Sequence, residues 1–185
     1  MENHLVKDFM IAISEYATVV LGTSLADALI ALEKAQETHT SNKYQHRAIL
    51  VLNNSGDVVG KLSQLRALQA IEAQYDFNEE IKEIGKYNFS KEYIAQLRDR
   101  YRSKEPILKK EALKVIASKK VEEFMQKPKA GSFVSADSNL DEAIHKLAAG
   151  RLQSLLVTRN GKIIGILRMA DVFSVVSQEI KALEG

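Results

Sequence analysis

The sequence predicts an α+β fold in which two copies of one βαββα unit pack as a pair, with an all-helical insert between them. Three observations predict it. Asp8-Phe9-Met10 resembles Glu123-Phe124-Met125, and in the same register Val19 answers Val134, Leu25 answers Leu140, Ala28 answers Ala143, Leu29 answers Ile144 and Leu32 answers Leu147. Further on, Ile49-Leu50-Val51 answers Leu155-Leu156-Val157, and Gly56-Asp57-Val58-Val59-Gly60 answers Gly161-Lys162-Ile163-Ile164-Gly165. Between the copies lies a stretch with helical periodicity and no repeat partner. A doubled pattern of this kind sets the fold more firmly than any local propensity. The boundaries are 5–74 for the first repeat, 75–118 for the insert and 119–181 for the second repeat.

In the first repeat, Thr23 or Ser24 can cap a helix whose Leu25, Ala28, Leu29 and Leu32 share one face. The polar run from Gln36 to Lys43 suits a loop or an extra helical turn. From Ser63 a helix runs through Leu65, Leu68 and Ile71, reaching as far as Ile84, with Gly85 in the stopping position. In the insert, Ser90 can cap a helix through Tyr93, Ile94 and Leu97, and Pro106 suits the first turn of another that carries Ile107, Leu108, Leu113 and Ile116. These amphipathic stripes must be buried on the repeats or on another subunit.

The second repeat is the clearer copy. Phe133 and Val134 are extended, and Ser138 or Asn139 caps a helix with Leu140, Ala143, Ile144 and Leu147 on its apolar face. Leu155-Leu156-Val157 and Ile163-Ile164 are strands joined at Arg159-Asn160-Gly161, because Asn and Gly accept the positive φ of a tight hairpin. A closing helix starts near Met169. Arg168 and Asp171 stand at its mouth, where chemistry is expected.

At 185 residues the chain can bury a real core. It has no cysteine, so disulfides and thiolate metal sites are excluded. Met1-Glu2-Asn3-His4 lacks a signal pattern and no apolar run has membrane-spanning length, so a soluble, cytoplasmic protein is expected. The net charge of +2 selects no polyanionic partner. Arg98, Arg100, Arg102, Lys104, Lys109, Lys110 and Lys114 are interrupted by Asp99, Glu105 and Glu111, the pattern of a solvated helix face more than of a nucleic-acid patch. The four histidines show no metal-ligand spacing, and there is no phosphate loop or paired acid/base couple. A binding protein is expected rather than an enzyme.

The repeated Phe-Met lead-in, Ser138-Asn139-Leu140-Asp141-Glu142-Ala143-Ile144, the hairpin from Ser154 to Leu167 and the following Asp171-Val172-Phe173 resemble a cystathionine-β-synthase (CBS) domain. Two tandem copies resemble a CBS pair, or Bateman module, over residues 5–74 and 119–181. The resemblance implies a regulatory module that binds AMP, ADP or ATP, or less often S-adenosylmethionine, in clefts between the repeats, and that forms a homodimer. The family motif is Gly, two apolar residues, Ser or Thr, two variable residues and Asp. The Asp binds ribose hydroxyls and the Ser or Thr lies near phosphate.

Each copy keeps half of that motif. The second has Asp171 but Arg168 in place of the hydroxyl, and an arginine can hold a phosphate. The first has Ser63 but Arg66 in place of the Asp. One competent site is therefore expected, on Asp171 and Arg168 with backbone from Val134-Ser135 and Leu155-Leu156, beside a first site that is degenerate or binds only anions. His46 and Arg47 are candidates for a phosphate pocket. Bland alternatives stand beside each: Asp171 stabilises a helix dipole, Ser63 is an ordinary cap, Arg168 is a surface side chain. Two function classes follow, a nucleotide sensor that signals to a partner through the insert, and a structural or interaction module with empty clefts; nucleic-acid binding through the Arg98 to Lys114 face is a weaker third.

Overall fold

A computed structural model describes residues 4–38, 47–73, 89–102 and 108–183. The expectations for His46, for most of the polar loop, for the helix continuing to Ile84 and for Pro106 and Ile107 fall outside these residues.

The first repeat contributes strand β1 (Ile11–Ala12), strand β2 (Thr18–Val20), helix α1 (Leu25–Thr38), strands β3 (Ala48–Leu52) and β4 (Val58–Ser63), and helix α2 (Gln64–Ala73). Helices α3 (Lys91–Arg102) and α4 (Lys110–Ser118) follow. The second repeat supplies β5 (Phe133–Ser135), α5 (Leu140–Gly150), β6 (Ser154–Arg159), β7 (Lys162–Arg168) and α6 (Met169–Ala182). The result is a mixed α+β architecture with two small sheets.

The caps are those the residue types favour. Ser24 Oγ accepts from the Asp27 amide at 3.1 Å to start α1, and Asn139 Oδ1 accepts from the Glu142 amide at 3.0 Å to start α5. Ser90 Oγ accepts from the Tyr93 amide at the head of α3. Asn160 and Gly161 both have positive φ, 51° and 75°, in the two-residue turn between β6 and β7. One expectation needs correction: the last insert helix begins at Lys110, and Leu108 lies before it, 74% exposed. Packing decides its extent, since α4 buries Ile116 in the first repeat's core against α1 and α2.

The sheets repeat each other. In one, β2 pairs parallel with β3, and β3 antiparallel with β4. In the other, β5 pairs parallel with β6, β6 antiparallel with β7, and β7 antiparallel with β1. Both hairpins carry a register shift at the same place, between Val51 and Leu52 and between Val157 and Thr158. Period-2 alternation then sends one set of side chains toward the helices and the other toward the opposite sheet. Leu50, Leu156, Ile166, Val58 and Tyr16 make up that inter-sheet layer.

The halves trade their lead-in segments. Val6, Phe9 and Met10 pack into the core of the second repeat, whereas Val121, Phe124 and Met125 pack into that of the first. The backbone bonds are reciprocal. The Val6 amide donates to the Ser138 carbonyl at 3.0 Å and the Leu140 amide to the His4 carbonyl at 2.9 Å; equivalently, the Val121 amide donates to Thr23 at 2.9 Å and the Leu25 amide to Lys119 at 2.8 Å. Each methionine covers a glycine of the other repeat, Met125 over Gly60 and Met10 over Gly165, where a side chain would collide.

Candidate functional site

Strand β7 runs directly into α6, so Arg168, its last residue, stands one turn ahead of Asp171. The two side chains form a bidentate ion pair: Arg168 Nε donates to Asp171 Oδ2 at 2.7 Å and Nη2 to Oδ1 at 2.6 Å. They are only 13% and 15% exposed. A guanidinium fork matched to a carboxylate is the strongest form of such a pair, and here it is largely screened from water. Asp171 faces inward. It serves Arg168 before it serves any ligand.

Tyr16 sits beside this pair, packed in the inter-sheet layer with 7% exposure. Burial pushes its phenol up to about 12; the positive charge of Arg168 opposes that shift and the negative charge of Asp171 adds to it. The phenol therefore remains protonated, a donor as well as an aromatic wall.

The third component crosses from the first repeat. Lys61 lies on β4 directly opposite Leu50, on the inter-sheet face, and its Nζ donates to Ser154 Oγ at 2.7 Å. Ser154 opens β6 and is the register partner of Arg168. Ser154 is itself buried. Burial lowers the Lys61 pKa, because an ammonium loses its hydration there. The Lys61 amine and the Arg168–Asp171 pair are thus gathered around one serine at the seam between the sheets.

The remaining predicted residues have other duties. Leu156 belongs to the layer with Tyr16, but Val134 and Leu155 point into the second repeat's helical core and offer the seam only backbone. Ser135 is exposed at the end of β5, its Oγ accepting from the Asp137 amide at 3.3 Å. Ser63 caps α2 by accepting from the Arg66 amide at 3.2 Å. Arg66 reaches away, Nε to the Phe124 carbonyl at 3.4 Å and Nη1 to Gln69 Oε1 at 3.2 Å. Arg47 is exposed, and its carbonyl accepts from the Gln64 amide. So the structure pairs Arg168 with Asp171, sets Leu156 in the layer with Tyr16, engages Ser63 and Arg66 within the fold, and leaves the Arg47 side chain exposed.

Tyr16, Lys61 and Ser154 escaped the sequence reading. The signal for Lys61 was present: aligning the hairpins at Gly60 and Gly165 sets Lys61 against Ile166, a cation in a slot that its twin fills with a fully buried aliphatic residue. Tyr16 likewise aligns with Gly131.

Among the described residues no helix is long and apolar enough to cross a membrane, and no group of three or more acidic or histidine side chains could hold a metal ion. Residues 121–178 match the family model of the CBS domain. No curated protein sequence matches the chain. Among solved structures, CBSX2 in complex with AMP is 20% identical with a TM-score of 0.58, over 95% of this chain and 98% of that one. The CBS-pair protein CBSX2 from Arabidopsis thaliana is 20% identical with a TM-score of 0.59, over 96% and 97%. The CBS domain of a bacterial CNNM/CorC family Mg2+ transporter in complex with ATP is 14% identical with a TM-score of 0.58, over 95% and 89%. With the repeated sheets and the exchanged lead-in segments, these matches identify residues 121–178 as a CBS domain and the fold of the chain as that of a tandem CBS pair.

Proposed function

We propose that this CBS pair is a regulatory, non-catalytic protein that binds an adenine nucleotide, AMP, ADP or ATP, at the seam between its repeats and signals occupancy to a partner. The observation that carries the reading is the inward-facing Arg168–Asp171 pair beside Tyr16, at the mouth of α6. A carboxylate there can accept from vicinal ribose hydroxyls once the guanidinium turns to a phosphate. Two proteins of the same fold were solved with AMP and with ATP. The repeats are taken as 5–74 and 119–181, with 75–118 as the surface that a partner reads, in the cytoplasm.

A homodimer accompanies this reading. Leu68 on α2 and Phe173 on α6 occupy equivalent places in the two repeats and are 64% and 70% exposed, an apolar pair suited to a second copy of the chain.

Thermal melting with millimolar AMP, ADP, ATP and S-adenosylmethionine tests the proposal. A ligand at about 100 times its Kd adds about 2.7 kcal/mol, a clear upward shift. No shift with any of them overturns it in favour of a structural module with empty clefts. That second reading has its own support, since Arg168 and Asp171 already satisfy each other and Ser63 and Arg66 are occupied within the fold.

A further inference from the structure

We infer that Lys61, reaching across from the first repeat, holds the anionic group of the ligand and makes the seam select phosphate-bearing compounds over their neutral counterparts. This rests on reading the seam as a ligand site, and it assigns the phosphate contact to Lys61, which stands in the first repeat where the family-like motif has an apolar residue.

Among the described residues the charges at the seam do not cancel. Arg168 is neutralised by Asp171 through two short hydrogen bonds. Lys61 has only the Ser154 hydroxyl as a polar side-chain partner among the described residues, and no carboxylate pairs with it. An ammonium withdrawn from water without a counter-ion is costly, and folding tolerates one chiefly where a ligand supplies the missing charge. The position sharpens the point: the equivalent residue of the second repeat is Ile166, fully buried in the same inter-sheet layer, so an aliphatic side chain fits this slot. Ser154, the register partner of Arg168, links Lys61 to the strand end that carries the ion pair. An oxyanion at Ser154 could accept from Lys61 and from the hydroxyl. It would also compete with Asp171 for Arg168, releasing the carboxylate to accept from hydroxyls of the same ligand.

The test is calorimetric titration of the full chain in phosphate-free buffer with adenosine, AMP and inorganic pyrophosphate, for the wild type, Lys61→Met and Lys61→Arg. AMP is expected to bind the wild type about 10-fold or more tighter than adenosine, the scale of a charged hydrogen bond. Lys61→Met should collapse that ratio toward one and leave adenosine unchanged, whereas Lys61→Arg should keep most of it. Ser154→Ala, a smaller change, should narrow the ratio in the same direction. An unchanged ratio in Lys61→Met overturns the inference, as does equal binding of adenosine and AMP by the wild type, though the latter leaves the adenine site standing. If pyrophosphate alone binds, and only while Lys61 is present, the inference stands and the adenine-nucleotide reading fails. If nothing binds, both fail.

Discussion

Arg168 and Asp171 close on each other through two hydrogen bonds of 2.7 and 2.6 Å in a nearly dry pocket at the start of the last helix. Removing either takes two short, charged hydrogen bonds from the other. Asp171→Ala is therefore expected to lower stability by roughly 2–3 kcal/mol, somewhat below the loss of about 3–5 kcal/mol for a fully buried pair. It should also weaken nucleotide binding by about 1.5–3 kcal/mol. Urea denaturation and calorimetry read the two effects separately, and wild-type behaviour in both would remove Asp171 from the site.

Lys61→Met should have the opposite sign on stability. It exchanges a half-buried ammonium for a thioether in a slot where the other repeat places isoleucine. A small gain is expected in the absence of ligand, because an apolar side chain there has no hydration to lose. A denaturation midpoint below that of the wild type would show that the Ser154 contact stabilises the fold more than desolvation weakens it.

Tyr16 sets an alkaline limit. Its phenol ionises near 10 in the unfolded chain and at about 12 when folded, so the unfolded state gives up its proton first as pH rises. Stability from this group is complete below pH 10 and is lost between 10 and 12, by an amount on the order of 2–3 kcal/mol. Tyr16→Phe should flatten that part of the stability profile relative to the wild type, as measured by denaturation at a series of pH values.

The two glycines under the methionines should respond unequally. A Cβ at Gly165 would come within 2.5 Å of the Ile11 carbonyl oxygen, which is backbone and cannot yield, whereas at Gly60 the obstacle is the Met125 side chain. Gly165→Ala is expected to destabilise by about 2–3 kcal/mol and Gly60→Ala by about 1 kcal/mol. Pairing Gly60→Ala with Met125→Ala should show positive coupling in a double-mutant cycle, with no such rescue of Gly165→Ala by Met10→Ala.

Leu68→Asp combined with Phe173→Asp places charges on the two exposed apolar positions of α2 and α6. If these helices form the dimer face, sedimentation should show half the wild-type mass and an unchanged fold. A dimer that survives both substitutions places the interface elsewhere.

Much of the fold was legible because it is written locally and twice. Ser24, Asn139 and the Asn160-Gly161 turn act through hydrogen bonds or φ values within a few residues, and they appear where the residue types put them. The place of Arg168 and Asp171 at the mouth of α6 was legible for the same reason, since both lie at the end of a recognisable strand. The start of α4 was missed because Pro106 and Leu108 carry a helix-start pattern, while packing of Ile116 on α1 and α2 fixes the helix that forms. Lys61, Ser154 and Tyr16 come from three separate segments, and only the face-to-face stacking of the sheets makes them neighbours. Periodicity reports which residues point the same way along one element. It does not report which faces meet.

The traded lead-in segments carry a consequence for how such a molecule can exist. Neither half owns all the pieces that seal its own interior: Val6 completes one and Val121 the other. A lone unit could find its missing piece only by clasping another molecule, at a concentration-dependent penalty. Joining both units in one polypeptide makes the clasp intramolecular, so that it forms however dilute the solution. Cleavage between the repeats should accordingly leave two fragments that mix into a native complex but hold no shape apart.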